Sequence, residues 1–291
     1  MDAPLVPSAT DAATVLAQWR WDPLTVAGIL TAGSVYALAV VRVRRAGGTW
    51  PVAWTAWFAA GLASLALALA SPIDAYADVS FSVHMGQHLL LTLLAPPLIA
   101  LGAPITLALR ASAPGTGRAI TSVLKSRVVS FLGRPVVGWL LFVTVPVLVH
   151  YSPLFDLALR SRPWHAFEHA LWVSAALVYW WPIVGRDPSP HPVPYPVRLL
   201  SMFLAMPATS FLALALFTTS VPLYATYAAL PAPWGPSALG DQRNAAVLMW
   251  LVGNLGMMIA MLLVAAAWKR DDDARQRRLE DRSDGLAAAG V

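Results

Sequence analysis

The chain has no cysteine. Structural disulfides are therefore excluded, and so are thiolate metal sites. Charge is scarce as well. Asp, Glu, Lys and Arg together make up 12% of the residues, about half of what a soluble domain carries. The period-2 alternation that marks the strands of a membrane barrel is missing. Residues 1–20 lack a basic region followed by an apolar stretch. No cleaved signal peptide is expected there, and the first apolar run is expected to direct insertion.

What the chain has is apolar sequence: 58% of its 291 residues are hydrophobic. They gather into runs of roughly 18 to 25, which is membrane-spanning length. Backbone amides in lipid must be paired internally, so helices remain once barrels are set aside. The expected fold is all-α, a polytopic membrane protein with seven transmembrane helices near 24–41, 52–70, 82–109, 135–150, 165–184, 197–219 and 244–268. Residues 1–23 form an outer N-terminal segment, 24–268 the seven-helix domain, and 269–291 a charged cytoplasmic tail, mobile or helical in solvent.

Basic residues orient this arrangement. All of the 20 Lys and Arg except Arg20, Arg160, Arg162 and Arg243 fall on one side. That side is expected to be cytoplasmic, with the N-terminus outside and the C-terminus inside. The net charge of +5 is thus a topology signal. No nucleic-acid partner is expected; the lipid bilayer is. Trp19 and Trp21 suit an outer interface. Pro96-Pro97 interrupts the third span and predicts a kink whose freed carbonyls are buried against protein. The stretch 110–134 mixes basic and apolar residues. It reads equally as a surface-lying amphipathic helix or as a solvated loop.

Two histidine pairs stand out, His84/His88 and His165/His169, each opening a long apolar run. The i, i+4 spacing puts both rings of a pair on one helix face, one turn apart. On the expected topology these four and His150 lie at or just inside the outer boundary, and only His191 does not. Polar groups at membrane depth are costly and need a partner or a task. Imidazole is the commonest neutral metal ligand, and two such pairs supply four from two helices. The expected metal ligands are His84, His88, His165 and His169, with His150 as a further ligand, a gate or an interfacial hydrogen-bonding group. Glu168, Asp156 and Asp241 would orient the imidazoles by accepting hydrogen bonds. Asp241-Gln242 could instead cap the seventh span. Met85 and Met249 lie at the right depth to assist, although core packing also accounts for them. Imidazole and thioether do not by themselves separate copper from zinc.

Two other readings remain. His165-Ala166-Phe167-Glu168-His169 matches the inverted zinc-protease pattern H-x-x-E-H, with Glu168 as general base. That zinc hydrolase leaves His84 and His88 without a task. A copper transporter needs ligands staged across the bilayer, and only Met206, Met257 and Met261 offer deeper steps.

Taken in order, several short stretches resemble the multi-span CtaG family of bacterial cytochrome c oxidase assembly factors, the type associated with caa-type oxidases. They are Phe81 to His88, Ala95-Pro96-Pro97-Leu98, Leu101-Gly102-Ala103-Pro104, His150 to Asp156, His165 to His169, Trp180-Trp181-Pro182, Pro222-Leu223-Tyr224 and Asp241-Gln242. The chain departs from the family pattern at Val149, where a Trp is expected, and after Gln242, where Arg243-Asn244 replaces Gln and Gly. The resemblance implies a seven-helix, multi-pass protein of the bacterial plasma (inner) membrane. It implies a non-enzymatic role, with copper at the histidines handled for the CuB centre. The implied partners are the catalytic subunit of cytochrome c oxidase and an extracytoplasmic copper donor, with a homo-oligomer also compatible. The single-span copper chaperone that shares the CtaG name uses cysteines, which this chain lacks.

Overall fold

In a computed structural model, residues 17–230 and 235–288 are described. Residues 1–16 of the expected outer segment, 231–234 in the last long loop and 289–291 of the expected tail lie outside the described residues.

The apolar runs fold as helices, and no strand occurs among the described residues. Helix α1, Pro23–Arg45, begins at Asp22, whose side chain accepts the Thr25 amide at 2.7 Å. It ends on Arg42, Arg44 and Arg45, cations that suit the negative end of the helix dipole. Gly47, at φ +80°, turns the chain. Helix α2 is Val52–Ala70, and the short α3 is Pro72–Ala77, capped by Ser71.

Helix α4, Phe81–Leu89, passes through a π-helical turn, Leu90–Leu94, into α5, Ala95–Leu101. The widened turn absorbs Pro96 and Pro97, which cannot donate to the preceding turn. The carbonyl of Thr92, four residues before Pro96, accepts the Trp180 indole N–H at 2.8 Å. The freed acceptor is thus buried against protein. Ala103 takes the left-handed conformation, φ 49°, and α6, Pro104–Ala111, completes this element. Asp187 caps α6 by accepting the amides of Ile105 at 3.0 Å and Thr106 at 2.7 Å. Burial raises the Asp187 carboxyl above the usual range. The basic stretch that follows is helical, as α7, Pro114–Leu124, and α8, Arg127–Leu132, neither with a buried residue.

Helix α9, Pro135–His150, is followed after a 70° bend by α10, Pro153–Arg160. Then come α11, Arg162–Val184, α12, Tyr195–Thr218, α13, Ala225–Ala228, and α14, Ala238–Ala288. Helix α14 has 51 residues and carries the charged tail on as continuous helix. Helices α9 and α11 approach closely where Gly138 lies. A Cβ there would stand 3.1 Å from the Val178 carbonyl oxygen, so a small residue is what lets the backbones meet.

Among the described residues five elements are long and apolar enough to cross a membrane. They are α1, α2, the run Phe81–Ala111, α12, and α14 over Ala238–Asp281. Counting the bent pair α9 and α10 as one span makes up to six. Seven spans are expected from sequence. Helix α11 has the length, 23 residues, but its first two turns carry Arg162, His165, Glu168 and His169. The protein is an all-helical membrane protein. The run Phe81–Ala111 carries His84 and His88 near its start and Arg110 near its end, and α1 ends on Arg42, Arg44 and Arg45.

Candidate metal centre

Helices α4 and α11 present their histidine pairs to each other. His84 and His88 are buried, with their Nε2 atoms 3.0 Å apart. Three groups of potential ligand atoms converge here, each within 4.8 Å: His84, His88 and His169; His84, His165 and Glu168; and Asp74, His165 and His169. The four paired histidines and Glu168 therefore come together. His150 does not join these groups. Its ring lies against Phe155 and Trp172, with centroids 5.3 and 6.0 Å away.

The hydrogen-bond partners assign the tautomers. The Tyr227 hydroxyl donates its single proton to the Ala77 carbonyl at 2.6 Å. It can then only accept from His84 Nδ1, 2.9 Å away. The His84 proton sits on Nδ1, and Nε2 presents its lone pair toward His88 Nε2, 3.0 Å away. His150 Nδ1 donates to the Pro146 carbonyl at 2.8 Å, which again leaves Nε2 bare. Buried and without a hydrogen-bond partner are Nε2 of His150, His165 and His169, Nδ1 of His88 and Oε2 of Glu168. Such groups are costly unless something positive joins them. Glu168 is 0% exposed. Its Oε1 accepts from the Trp172 indole at 3.3 Å and stands 3.5 Å from His88 Nε2. Neutral imidazoles with free lone pairs beside a carboxylate are the donor set of a cationic metal.

Asp74 was not singled out from sequence. An acid in a short connection between two spans reads as solvent-facing. It is buried because α3 folds back against α4, where Gln87 Nε2 donates to it at 3.0 Å. Arg20 lies 3.6 Å away and also pairs with Asp78. Burial raises the Asp74 carboxyl, against the opposing pull of His165, Arg20 and Gln87.

Two expected orienting acids serve elsewhere. Asp241 neither hydrogen-bonds an imidazole nor caps its own helix. It accepts the Phe81 amide at 2.6 Å and the Ser82 hydroxyl at 2.5 Å. The unpaired amides at the start of α4 attract a carboxylate more strongly than a distant neutral ring does. Gln242 ties the preceding connection down, accepting the Leu223 amide at 2.7 Å and donating to the Leu216 carbonyl at 2.9 Å. Asp156 pairs with Arg160 on its own helix and accepts the Thr226 hydroxyl at 2.8 Å. It joins α10 to α13 rather than orienting a histidine. Met85 and Met249 are buried and line a cavity with His88.

Asp241→Ala is expected to destabilise the protein by about 1–2 kcal/mol, the upper part of the range for a lost helix cap. Asp241→Asn should restore part of that, since an amide oxygen still accepts. Thermal unfolding in detergent reads both. Equal stability of the alanine variant and wild type would contradict the capping role.

A cluster of four imidazoles and a carboxylate, buried except for the half-buried His165, within an all-helical bundle defines a membrane protein with a potential metal centre. The chain belongs to the cytochrome c oxidase caa3 assembly factor family (Caa3_CtaG), whose family model matches residues 34–271. It is 34% identical over 287 residues to the uncharacterized protein Mb0105 of Mycobacterium bovis, covering 96% of this chain and 43% of that protein. It is 36% identical over 262 residues to the uncharacterized protein ML1998 of Mycobacterium leprae, covering 87% of this chain and 40% of that protein. The chain thus spans less than half the length of these curated relatives. No solved structure matches it significantly.

Proposed function

We propose that this chain binds copper at His84, His88, His165 and His169 and hands it to the catalytic subunit of cytochrome c oxidase for the CuB centre. One observation carries the reading: four imidazoles converge, three buried and His165 half-buried, with His84 held by Tyr227 through Nδ1 and with Nδ1 of His88 and Nε2 of His165 and His169 unpartnered. Glu168 balances the charge of the ion. His150, one ring away, serves as a gate or a late ligand. Copper is cargo here, so the site must bind it and also release it. A centre offering several partly overlapping donor groups suits that better than a closed tetrahedral cage.

The accompanying topology has seven spans, with α9 and α11 among them. The N-terminus and the histidine end face outward, and the tail lies in the cytoplasm of a bacterial cell. This follows from the side preferred by Lys and Arg. The domain limits 1–23, 24–268 and 269–291 go with it. An outward site can take copper from an extracytoplasmic donor and pass it on laterally within the membrane.

The zinc hydrolase reading draws on the unpartnered Oε2 of Glu168. It needs room for water and substrate beside that carboxylate, but Glu168 and His84 are both 0% exposed. In cells lacking this protein, the oxidase is expected to lose CuB and its activity, and re-expression should restore both. Full metallation of the oxidase without the protein would contradict the proposal.

A further inference from the structure

Beneath the imidazole cluster, toward the middle of the bundle, lies a cavity of about 50 Å³. Its wall includes Met85, Met206, Met249 and Met257, four of the eight methionines in the chain. They come from three separate helices, α4, α12 and α14. His88 also lines this cavity, with its ring stacked on Trp172 at 4.4 Å.

The other polar groups in the wall are engaged. The Thr92 hydroxyl donates to the His88 carbonyl at 2.7 Å, and the Thr209 hydroxyl to the Met206 carbonyl at 3.0 Å. His88 Nδ1 is not engaged: it is buried and has no partner. The tautomer logic extends to this ring. His84 Nε2 carries a lone pair, so the 3.0 Å contact between the two Nε2 atoms is made by a proton on His88 Nε2. The lone pair of His88 then sits on Nδ1, on the edge of the ring away from that contact.

We propose that this cavity is a second metal site, selective for a soft monovalent cation, Cu(I), held by methionine thioethers and His88 Nδ1. The proposal rests on the copper-handling role of the neighbouring imidazole centre and adds a site to it. Thioethers select Cu(I) over harder divalent ions. An uncharged donor set in a buried apolar wall also favours the ion with the smaller charge. His88 is common to both sites. As a neutral ring it offers one lone pair at a time, Nδ1 to the cavity or Nε2 to the cluster. Copper enters and leaves as Cu(I), so no electron is transferred and no oxidant is required.

The absence of cysteine makes the test direct. In sulfur-free buffer, a sulfur shell around bound copper can come only from methionine. The full-length protein is loaded with Cu(I) beyond one equivalent and measured by copper K-edge X-ray absorption. The expected wild-type spectrum contains nitrogen and sulfur shells. The variant M85L/M249L/M257L, a volume-conserving change, leaves only Met206 in the cavity wall and should lose most of the sulfur shell and part of its copper and keep the nitrogen shell. Met258→Leu, on an exposed side chain, should change nothing. A wild-type spectrum with nitrogen alone overturns the thioether site and leaves the imidazole centre standing. A sulfur shell without nitrogen overturns the proposed site as well, because His88 Nδ1 would then be no ligand, and it removes the imidazole centre with it. The wild-type spectrum decides even if the triple variant does not fold.

Discussion

Replacing His84 and His88 together by alanine is expected to abolish copper retention while leaving membrane insertion intact. Both rings project from one face of α4, and their Nε2 atoms are 3.0 Å apart. His84 contributes to two of the three converging donor groups and His88 to one. Their removal dissolves the two groups that include them. What remains is His165, His169 and Asp74, together with Glu168. Loss of a supporting partner costs a metal site roughly 10–100-fold in affinity, and loss of two direct donors should exceed that. The helix itself should persist, because alanine is the best helix former and Asp241 still holds its first turn. Metal analysis of the purified variant, alongside its circular dichroism, checks both halves. Normal copper content in a folded variant would remove the basis for the proposed function.

Glu168→Gln is the second large effect, and it separates carrier from hydrolase. The substitution keeps size and removes charge from a side chain that is 0% exposed. Glu168 Oε1 stands 3.5 Å from His88 Nε2, and Oε2 stands 4.0 Å from His84 Nε2. In a copper carrier this carboxylate neutralises the ion and orients the rings, so the variant should bind copper about 10–100-fold more weakly and still saturate. In a zinc hydrolase it is the general base, so activity would vanish while metal stayed bound. Competition titration against a chelator of known affinity measures the first outcome. Unchanged copper affinity would show that Glu168 takes no part in the site.

The histidine cluster was legible because helical periodicity is local. The spacing of His84/His88 and of His165/His169 sets each pair on one face, and Glu168 lies within the second pair. The proline break was legible for the same reason, since Pro96 and Pro97 remove donors whatever surrounds them. The tasks of the acids were not. Asp241 meets Phe81 across a separation of 160 residues, and no local pattern encodes that contact. Asp156 was assigned to the imidazoles, whereas it pairs with Arg160 one turn on and reaches Thr226, a contact 70 residues away that no local pattern encodes. Asp74 was not singled out, because only the fold of α3 back on α4 buries it. Span counting meets a related limit. The polar opening of α11 dilutes its hydropathy, and α9 has only 16 residues before the 70° bend. The methionines behave alike. Met85 and Met249 could be placed by depth, but only packing brings Met206 and Met257 to the same cavity.

Metal content of the wild-type protein, measured by mass spectrometry after exposure to equal copper and zinc and removal of loose ions, tests the central claim most directly. The proposed function predicts retained copper and little zinc. Zinc retained in place of copper, or no metal at all, would contradict it and bring the hydrolase reading of Glu168 to the front.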